Sequence, residues 1–158
     1  AIEVNENQKL RLIKKARKYY DTFEGLTIAV LGLTFKPGTD DLREAPSLTI
    51  VPILLDDGAT VKAYDPYGIN RFKQKINGDI ISCETPEEAL KDADICFILT
   101  EWPEIVELEP EAFLTMRRPI IMDGRNCYRL EAMEGHDLIY ESIGRKTAGK
   151  GKTILTDN

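Results

Sequence analysis

The sequence contains few of the residues from which metal centres and disulfide frameworks are built. Its 158 residues include three cysteines, Cys83, Cys96 and Cys127, which are widely spaced and form no CxxC pair, and a single histidine, His136. A zinc site needs several such ligands at close spacing, so no metal site is expected. Scattered cysteines in odd number are typical of free thiols in a reducing compartment, and we expect a cytoplasmic protein.

Long apolar runs and an excess of basic residues are also missing. No apolar stretch approaches the roughly 20 residues of a membrane-spanning helix, and no signal peptide is visible, so no membrane partner is expected. The net charge of -6 argues against nucleic acid as a partner, because neutralising phosphates requires a basic face. With 42% hydrophobic residues, the composition is that of a globular protein with a substantial core.

Short apolar runs alternate with helical patterns along most of the chain. The six runs span residues 26–33, 60–66, 79–83, 94–100, 118–124 and 136–144. Several are nearly continuous and β-branched, which is typical of strands buried on both faces of a parallel sheet. Helical patterns lie between them at 45–58, 85–93 and 109–118. The alternation predicts an α/β fold: a Rossmann-like, doubly wound, mainly parallel sheet with helices on both faces.

A long amphipathic helix is predicted ahead of the first strand. Four residues recur at helical spacing: Leu10, Ile13, Arg17 and Tyr20. A helix in this position can link two domains or pack against a partner subunit. The chain therefore divides into a helix (1–24), an α/β domain (25–144) and a basic tail rich in Gly and Thr, which we expect to be flexible (145–158).

Two phosphate-binding motifs are present only in part. The segment AGKGKT (148–153) is similar to the end of a P-loop, but Lys146 stands where that motif begins with glycine, and too few residues follow for its helix. A dinucleotide-binding G-x-G-x-x-G turn is also absent, because the turn that follows the first strand (32–38) contains only Gly32 and Gly38, at the wrong spacing. Asp65 does end the second strand, as a ribose-binding acid would. The chain does not carry a complete NAD site.

Cationic side chains collect where the predicted strands end. Lys36 follows the first strand, Arg43 lies close to the next helix, and Arg125 follows the fifth strand. Because the carboxyl ends of parallel strands share one edge, these cations could form an anion site there, with the helix N-terminus assisting. Alternatively, Lys36 and Arg43 neutralise neighbouring acids on a solvated surface. Trp102 on the same edge could cover a pocket or simply pack.

Five ordered segments resemble the C-terminal part of the UDP-glucose/GDP-mannose dehydrogenase family. They are VNENQK, IAVLGLTFKPGTDDLREAPS, VKAYDP, ADICFILTEW and IIMDGRN, and they are distributed in this order along the chain, so that the resemblance extends over nearly all of it. The DGRN segment is most similar to that of the UDP-glucose 6-dehydrogenases. The resemblance implies an NAD-binding Rossmann domain upstream, a central dimerisation helix ending within 1–24, and a UDP-sugar-binding domain at 25–144. The sequence begins at Ala1 without a methionine, and we interpret this as the start of an excised or processed chain.

The resemblance also implies roles for four residues. Phe35 and Lys36 correspond to the family's FK pair, which contacts the nucleotide sugar, and Arg125 corresponds to the DGRN arginine, which contacts the substrate. Arg43 corresponds to the arginine that reaches the NAD bound by the other domain. The family's catalytic cysteine belongs to an upstream motif that is not in this sequence, so no catalytic residue is assigned here.

The resemblance implies a role in the oxidation of UDP-glucose to UDP-glucuronate with two NAD per turnover. The expected partners are a UDP-sugar, the protein's own NAD-binding domain, and further subunits in a homodimer or larger assembly. The chain by itself is expected to be inactive. The alternatives are the equivalent domain of a UDP-N-acetyl-mannosamine or GDP-mannose dehydrogenase, or a non-catalytic nucleotide-binding module that stands alone.

Overall fold

Six strands and six α-helices make up the fold. The computed structural model describes residues 2–151, with side chains described from Gln8 onward. The strands are β1 (Thr27–Leu31), β2 (Thr60–Tyr64), β3 (Ile81–Cys83), β4 (Ile95–Ile98), β5 (Ile120–Asp123) and β6 (Ile139–Glu141). The helices are α1 (Ile2–Ala16), α2 (Ser47–Asp56), α3 (Ile69–Lys75), α4 (Pro86–Leu90), α5 (Pro103–Val106) and α6 (Leu130–Glu134), and a 3₁₀ helix covers Pro110–Thr115. Each strand lies within one of the predicted apolar runs.

The six strands form a single parallel sheet. Their order is β3-β2-β1-β4-β5-β6, which confirms the predicted Rossmann-like, doubly wound fold. The order reverses between β1 and β4, and ligands of open α/β sheets bind in the crevice at the carboxyl ends of such strands. None of the helices described between residues 2 and 151 is both long enough and apolar enough to cross a bilayer.

Hydrophobic cores cover both faces of the sheet. Successive side chains of a strand point to opposite faces, so Ile28 and Val30 of β1 join one core while Ala29 and Leu31 join the other. The first core is completed by α1, α2 and α3. The second is completed by α4, α5, the 3₁₀ helix and α6. The central strands are continuous apolar runs in the sequence because both of their faces are buried.

Helix α1 is shorter than the sequence pattern predicts. It ends at Ala16, and a turn follows before the first strand. The face that packs on the domain contains Leu12, Ile13 and Ala16, whereas Leu10 is 53% exposed. Packing against the sheet therefore selects a face slightly rotated from the predicted one.

The first seven residues of the expected flexible tail pack against the domain. Ala148 forms an antiparallel bridge with Tyr140 of β6, with N–H···O distances of 2.9 and 3.0 Å. Thr147 donates a hydrogen bond to Glu141 over 2.9 Å. Residues 145–151 thus cover the edge strand of the sheet, while residues 152–158, which include the end of the AGKGKT segment, lie outside the described residues.

Candidate functional site

A cavity of about 180 Å³ lies at the carboxyl ends of the strands. Phe35 lines it from the loop after β1, Leu99 from the end of β4, and Gly124 and Arg125 from the turn after β5. This is the edge at which the strand order reverses, where a ligand site is expected. An aromatic ring, an aliphatic wall and a guanidinium are a suitable combination for a base or ribose joined to a phosphate.

Helix α1 supplies the opposite wall of the cavity. Gln8, Lys9 and Leu12 line it, and Lys9 is only 8% exposed. None of these three residues was predicted as a site residue, although Gln8 and Lys9 end the VNENQK segment. A helix that precedes the domain gives no local signal of which strand ends it will face, because that depends on tertiary packing.

The structure brings together two of the four predicted site residues. Phe35 and Arg125, far apart in the chain, share the cavity, whereas Lys36 is exposed on the loop beside it. Arg43 lines a different surface groove, between the 39–43 loop and Arg71 of α3.

Arg43 forms an ion pair within its own loop. Its Nε and Nη2 contact Asp41, with the shortest side-chain distance 3.0 Å, while the Arg43 side chain remains 89% exposed. The hydrogen bonds from Arg43 lower the pKa of Asp41 to about 2. Within this domain, then, Arg43 is an exposed cation held by an acidic neighbour, as the solvated-surface interpretation describes.

Arg125 is held by a carboxylate on the neighbouring strand end. Its Nη2 lies 2.7 Å from Glu101 Oε2, and its Nε lies 3.3 Å from the same oxygen. Parallel pairing of Ile98 with Asp123 brings together the two turns that carry Glu101 and Arg125. Glu101 was not predicted as a site residue, because the pairing of its strand with that of Arg125 is not encoded in either segment alone.

The turn that presents Arg125 is organised by Asp123. Its Oδ1 accepts the Arg125 N–H over 2.8 Å, and its Oδ2 accepts the Cys127 N–H over 2.8 Å and the Tyr140 hydroxyl over 2.6 Å. Asp123 is fully buried, and burial raises the pKa of its carboxyl, while the hydrogen bonds oppose that shift. Arg145 completes the network by donating to the Tyr140 hydroxyl over 2.9 Å.

Asn126 fastens the same turn to the segment after β6. It adopts a left-handed φ of 53°, which asparagine tolerates better than most residues. Its side-chain amide accepts the Ile143 N–H over 2.8 Å and donates to the Ile143 carbonyl over 3.0 Å. Ile143 lines the cavity, as do Gly124 and Arg125. The DGRN segment therefore supplies the Arg125 guanidinium and also holds Ile143 in its place in the cavity wall.

Asp65 serves the fold rather than a ribose. Its Oδ2 accepts hydrogen bonds from the Leu33 and Thr34 N–H groups and from Trp102 Nε1, and its Oδ1 accepts two more from the turn after β2. Asp65 is 5% exposed. With both oxygens occupied, it is not available to a dinucleotide, and Trp102, also 5% exposed, packs instead of covering the cavity.

Gly32 is explained by a close approach between β1 and β4. Its φ of 93° lies in the region that favours glycine. A Cβ atom at this position would lie 2.5 Å from Thr100 Cβ and 2.6 Å from Thr100 N. Gly32 is therefore required by the packing of two strand ends, and no phosphate needs to be invoked for it.

The three cysteines lack the environment of a nucleophile. Burial raises the pKa of the thiols of Cys83, Cys96 and Cys127. A protonated thiol is a weak nucleophile, so these residues are suited to packing.

The comparison with known families identifies the domain. The model of the UDP-glucose/GDP-mannose dehydrogenase family, UDP binding domain, matches residues 29–130, which include both strand-end turns of the cavity. This chain belongs to the UDP-glucose/GDP-mannose dehydrogenase family. The match covers four of the five segments that carry the resemblance, in whole or in large part.

Individual relatives agree with the family assignment. The chain is 43% identical over 145 residues to the UDP-glucose 6-dehydrogenase TuaD of Bacillus subtilis, covering 91% of this chain and 32% of that protein. It is 40% identical over 147 residues to the UDP-glucose 6-dehydrogenase of Rhizobium meliloti, covering 91% of this chain and 33% of that protein. The chain thus spans about a third of the length of the curated relatives it matches.

Solved structures share the fold. The UDP-D-ManNAc dehydrogenase of Pyrococcus horikoshii superimposes with a TM-score of 0.65 at 31% identity, covering 91% of this chain and 31% of that one. The UDP-glucose dehydrogenase of Pyrobaculum islandicum superimposes with a TM-score of 0.68 at 28% identity, covering 78% of this chain and 27% of that one.

Proposed function

We propose that this domain binds the nucleotide part of a UDP-sugar in the cavity lined by Phe35 and Arg125. The proposal is carried by the convergence of these two residues, from the ends of β1 and β5, at the reversal of strand order. The Arg125 guanidinium would bind the diphosphate, for which its planar fork is suited. Lys36, exposed on the loop beside the cavity, would reach the same ligand.

We further propose that the domain works within an NAD-dependent dehydrogenase that oxidises UDP-glucose to UDP-glucuronate. The curated relatives at 36–43% identity that support this are UDP-glucose 6-dehydrogenases. The cavity, at about 180 Å³, is smaller than the roughly 300–1,000 Å³ of ordinary ligand pockets, in keeping with a site that a second domain completes.

The residues of this domain do not fit NAD as its main binding site. Gly32 is packed against Thr100, and the Asp65 carboxylate is fully engaged by five N–H donors. NAD, which would accept the hydride, is therefore assigned to another domain of the full-length protein. Arg43, exposed on the 39–43 loop, is the residue of this chain that would reach it.

Calorimetric titration of the 158-residue chain with UDP tests the binding proposal. UDP should bind, and Arg125→Ala should weaken binding about tenfold or more, because a charge-assisted contact to phosphate is lost. Arg129→Ala is the matched control, since Arg129 is 84% exposed and pairs only with Glu131 among the described residues. Absence of UDP binding at millimolar concentration, or equal losses in both variants, would contradict the proposal.

A further inference from the structure

The Glu101–Arg125 pair has a geometry that points to a role in ligand binding. Glu101 engages the Nε and Nη2 edge of the guanidinium through one oxygen, Oε2. Among the described residues, Arg125 Nη1 donates no hydrogen bond. The carboxylate therefore fixes the plane of the guanidinium while it leaves one nitrogen for another acceptor.

The second oxygen of Glu101 gives a reason for the pair to stay intact. Glu101 Oε1 is buried and has no hydrogen-bond partner within the described part of the chain. If Arg125 left Glu101 to bind a ligand, the carboxylate would lose its ion-pair partner while Oε1 stayed buried, and only water could replace the guanidinium at Oε2, because the Glu101 side chain is 36% exposed. A ligand that keeps the pair intact is therefore favoured over one that displaces Glu101.

The neighbouring strand ends make this arrangement rigid. Glu101 lies between Thr100, whose Oγ1 donates to the Thr34 carbonyl over 2.6 Å, and Trp102, which donates to Asp65. Arg125 is held at its backbone by the buried Asp123. Both partners thus stand on turns that hydrogen bonds hold in place, and the side chains of Arg125 and Glu101 are 33% and 36% exposed.

We propose that Glu101 is a positioning residue that holds the Arg125 guanidinium ready for the diphosphate of the ligand. This inference rests on the proposed function and deepens it. A free arginine side chain loses considerable rotamer freedom when it binds a ligand, and Glu101 removes that cost before the ligand arrives. The negative charge of Glu101 opposes phosphate binding, so the proposal requires that orientation outweigh this repulsion.

Titration with UDP of Glu101→Ala and Glu101→Gln distinguishes orientation from charge. Glutamine retains an acceptor for Nε and Nη2, so Glu101→Gln should bind UDP within about threefold of the parent chain. Glu101→Ala should bind about tenfold more weakly, because a residue that couples to Arg125 contributes on the order of a tenfold effect. Glu107→Ala, which removes an exposed acid at the end of α5, is the control for charge and should bind like the parent chain.

Two further measurements separate positioning from a structural role. In the Arg125→Ala background, Glu101→Ala should change the UDP affinity less than about twofold, because its effect passes through the guanidinium. Thermal unfolding measured by circular dichroism establishes that each variant is folded at the titration temperature.

The outcomes are decisive in either direction. Tighter UDP binding by Glu101→Ala would show that the acid competes with the ligand and would overturn the proposal, as would unchanged binding. An equal loss with and without Arg125 would also overturn it. If the parent chain binds no UDP, the proposed function fails and this inference fails with it, whereas UDP binding that depends on Arg125 but not on Glu101 removes this inference alone.

Discussion

At the carboxyl end of β2, the Asp65 carboxylate ties three separate segments together. It accepts hydrogen bonds from the loop after β1, from the turn after β2 and from Trp102 after β4. An acid in this position of a dinucleotide-binding fold would be free to contact a ribose. Here the five N–H donors replace such a ligand, and the loop that carries Phe35 is held in place as a result.

Asp65→Asn should destabilise the domain by about 2–4 kcal/mol. The amide nitrogen replaces one acceptor and faces N–H donors whichever way the side chain turns, so at least two donors are left unpaired. Asp40→Asn is the control, because Asp40 is 53% exposed and its distance to Arg71 is 3.5 Å. Urea unfolding of the two variants measures the difference, and similar free energies of unfolding would contradict this role for Asp65.

At the scale of the elements, α1 is anchored to the far edge of the sheet through polar contacts. The Tyr19 hydroxyl, just after α1, donates to Glu141 Oε2 over 2.5 Å, and Lys15 donates to the Ser142 carbonyl. Glu141 is 3% exposed and sits on β6. Because α1 forms one wall of the cavity, these contacts determine where that wall stands relative to Arg125.

Tyr19→Phe should lower the free energy of unfolding by about 1–3 kcal/mol, since it removes the donor to a buried carboxylate oxygen. Burial raises the pKa of the Tyr19 hydroxyl, so it remains a donor throughout the neutral range. Tyr67→Phe removes the same atom from a residue that is 63% exposed and should be nearly neutral. Chemical denaturation compares the two, and an unchanged stability in Tyr19→Phe would show that α1 is held by its apolar face alone.

Strands and helices whose own residues show a clear apolar or capping pattern were predictable from the sequence. Which elements pack against each other was not predictable. The strands were found because burial on both faces produces continuous apolar runs. The start of α4 was also evident, since Thr85 caps it by accepting the Glu88 N–H over 3.1 Å. The short helices α3, α5 and α6 were not predicted, because a helix of seven residues or fewer is too short to show a clear helical periodicity.

In the candidate site, too, individual residues were predictable and the contacts between elements were not. Arg125 was predicted from its strand-end position and from the family resemblance, and Phe35 from the resemblance. The Glu101 contact required knowledge that β4 and β5 are neighbours, and the α1 wall required knowledge of how the helix docks. The packing of residues 145–151 was missed because Gly, Thr and Lys indicate a flexible tail unless a partner such as Tyr140 is available.

At the scale of the whole molecule, one sheet connects both hydrophobic cores. Every central strand contributes side chains to each face, so neither core can come apart without disrupting the other. Such an arrangement favours cooperative, two-state unfolding of a domain of this size. Trp102 is the single tryptophan, and it reports on the edge that carries the cavity.

Urea unfolding followed by Trp102 fluorescence and by far-ultraviolet circular dichroism should therefore give coincident transitions. Saturating UDP should move both by the same amount, about 2.7 kcal/mol at a free concentration of one hundred times Kd, since a ligand of the native state stabilises the whole cooperative unit. In Arg125→Ala the transitions should still coincide, but the same UDP concentration should stabilise the domain by about 1.4 kcal/mol or less, since the affinity is about tenfold weaker or more. A fluorescence transition that precedes the loss of secondary structure would mean that the cavity edge unfolds separately, in which case UDP would stabilise that edge alone.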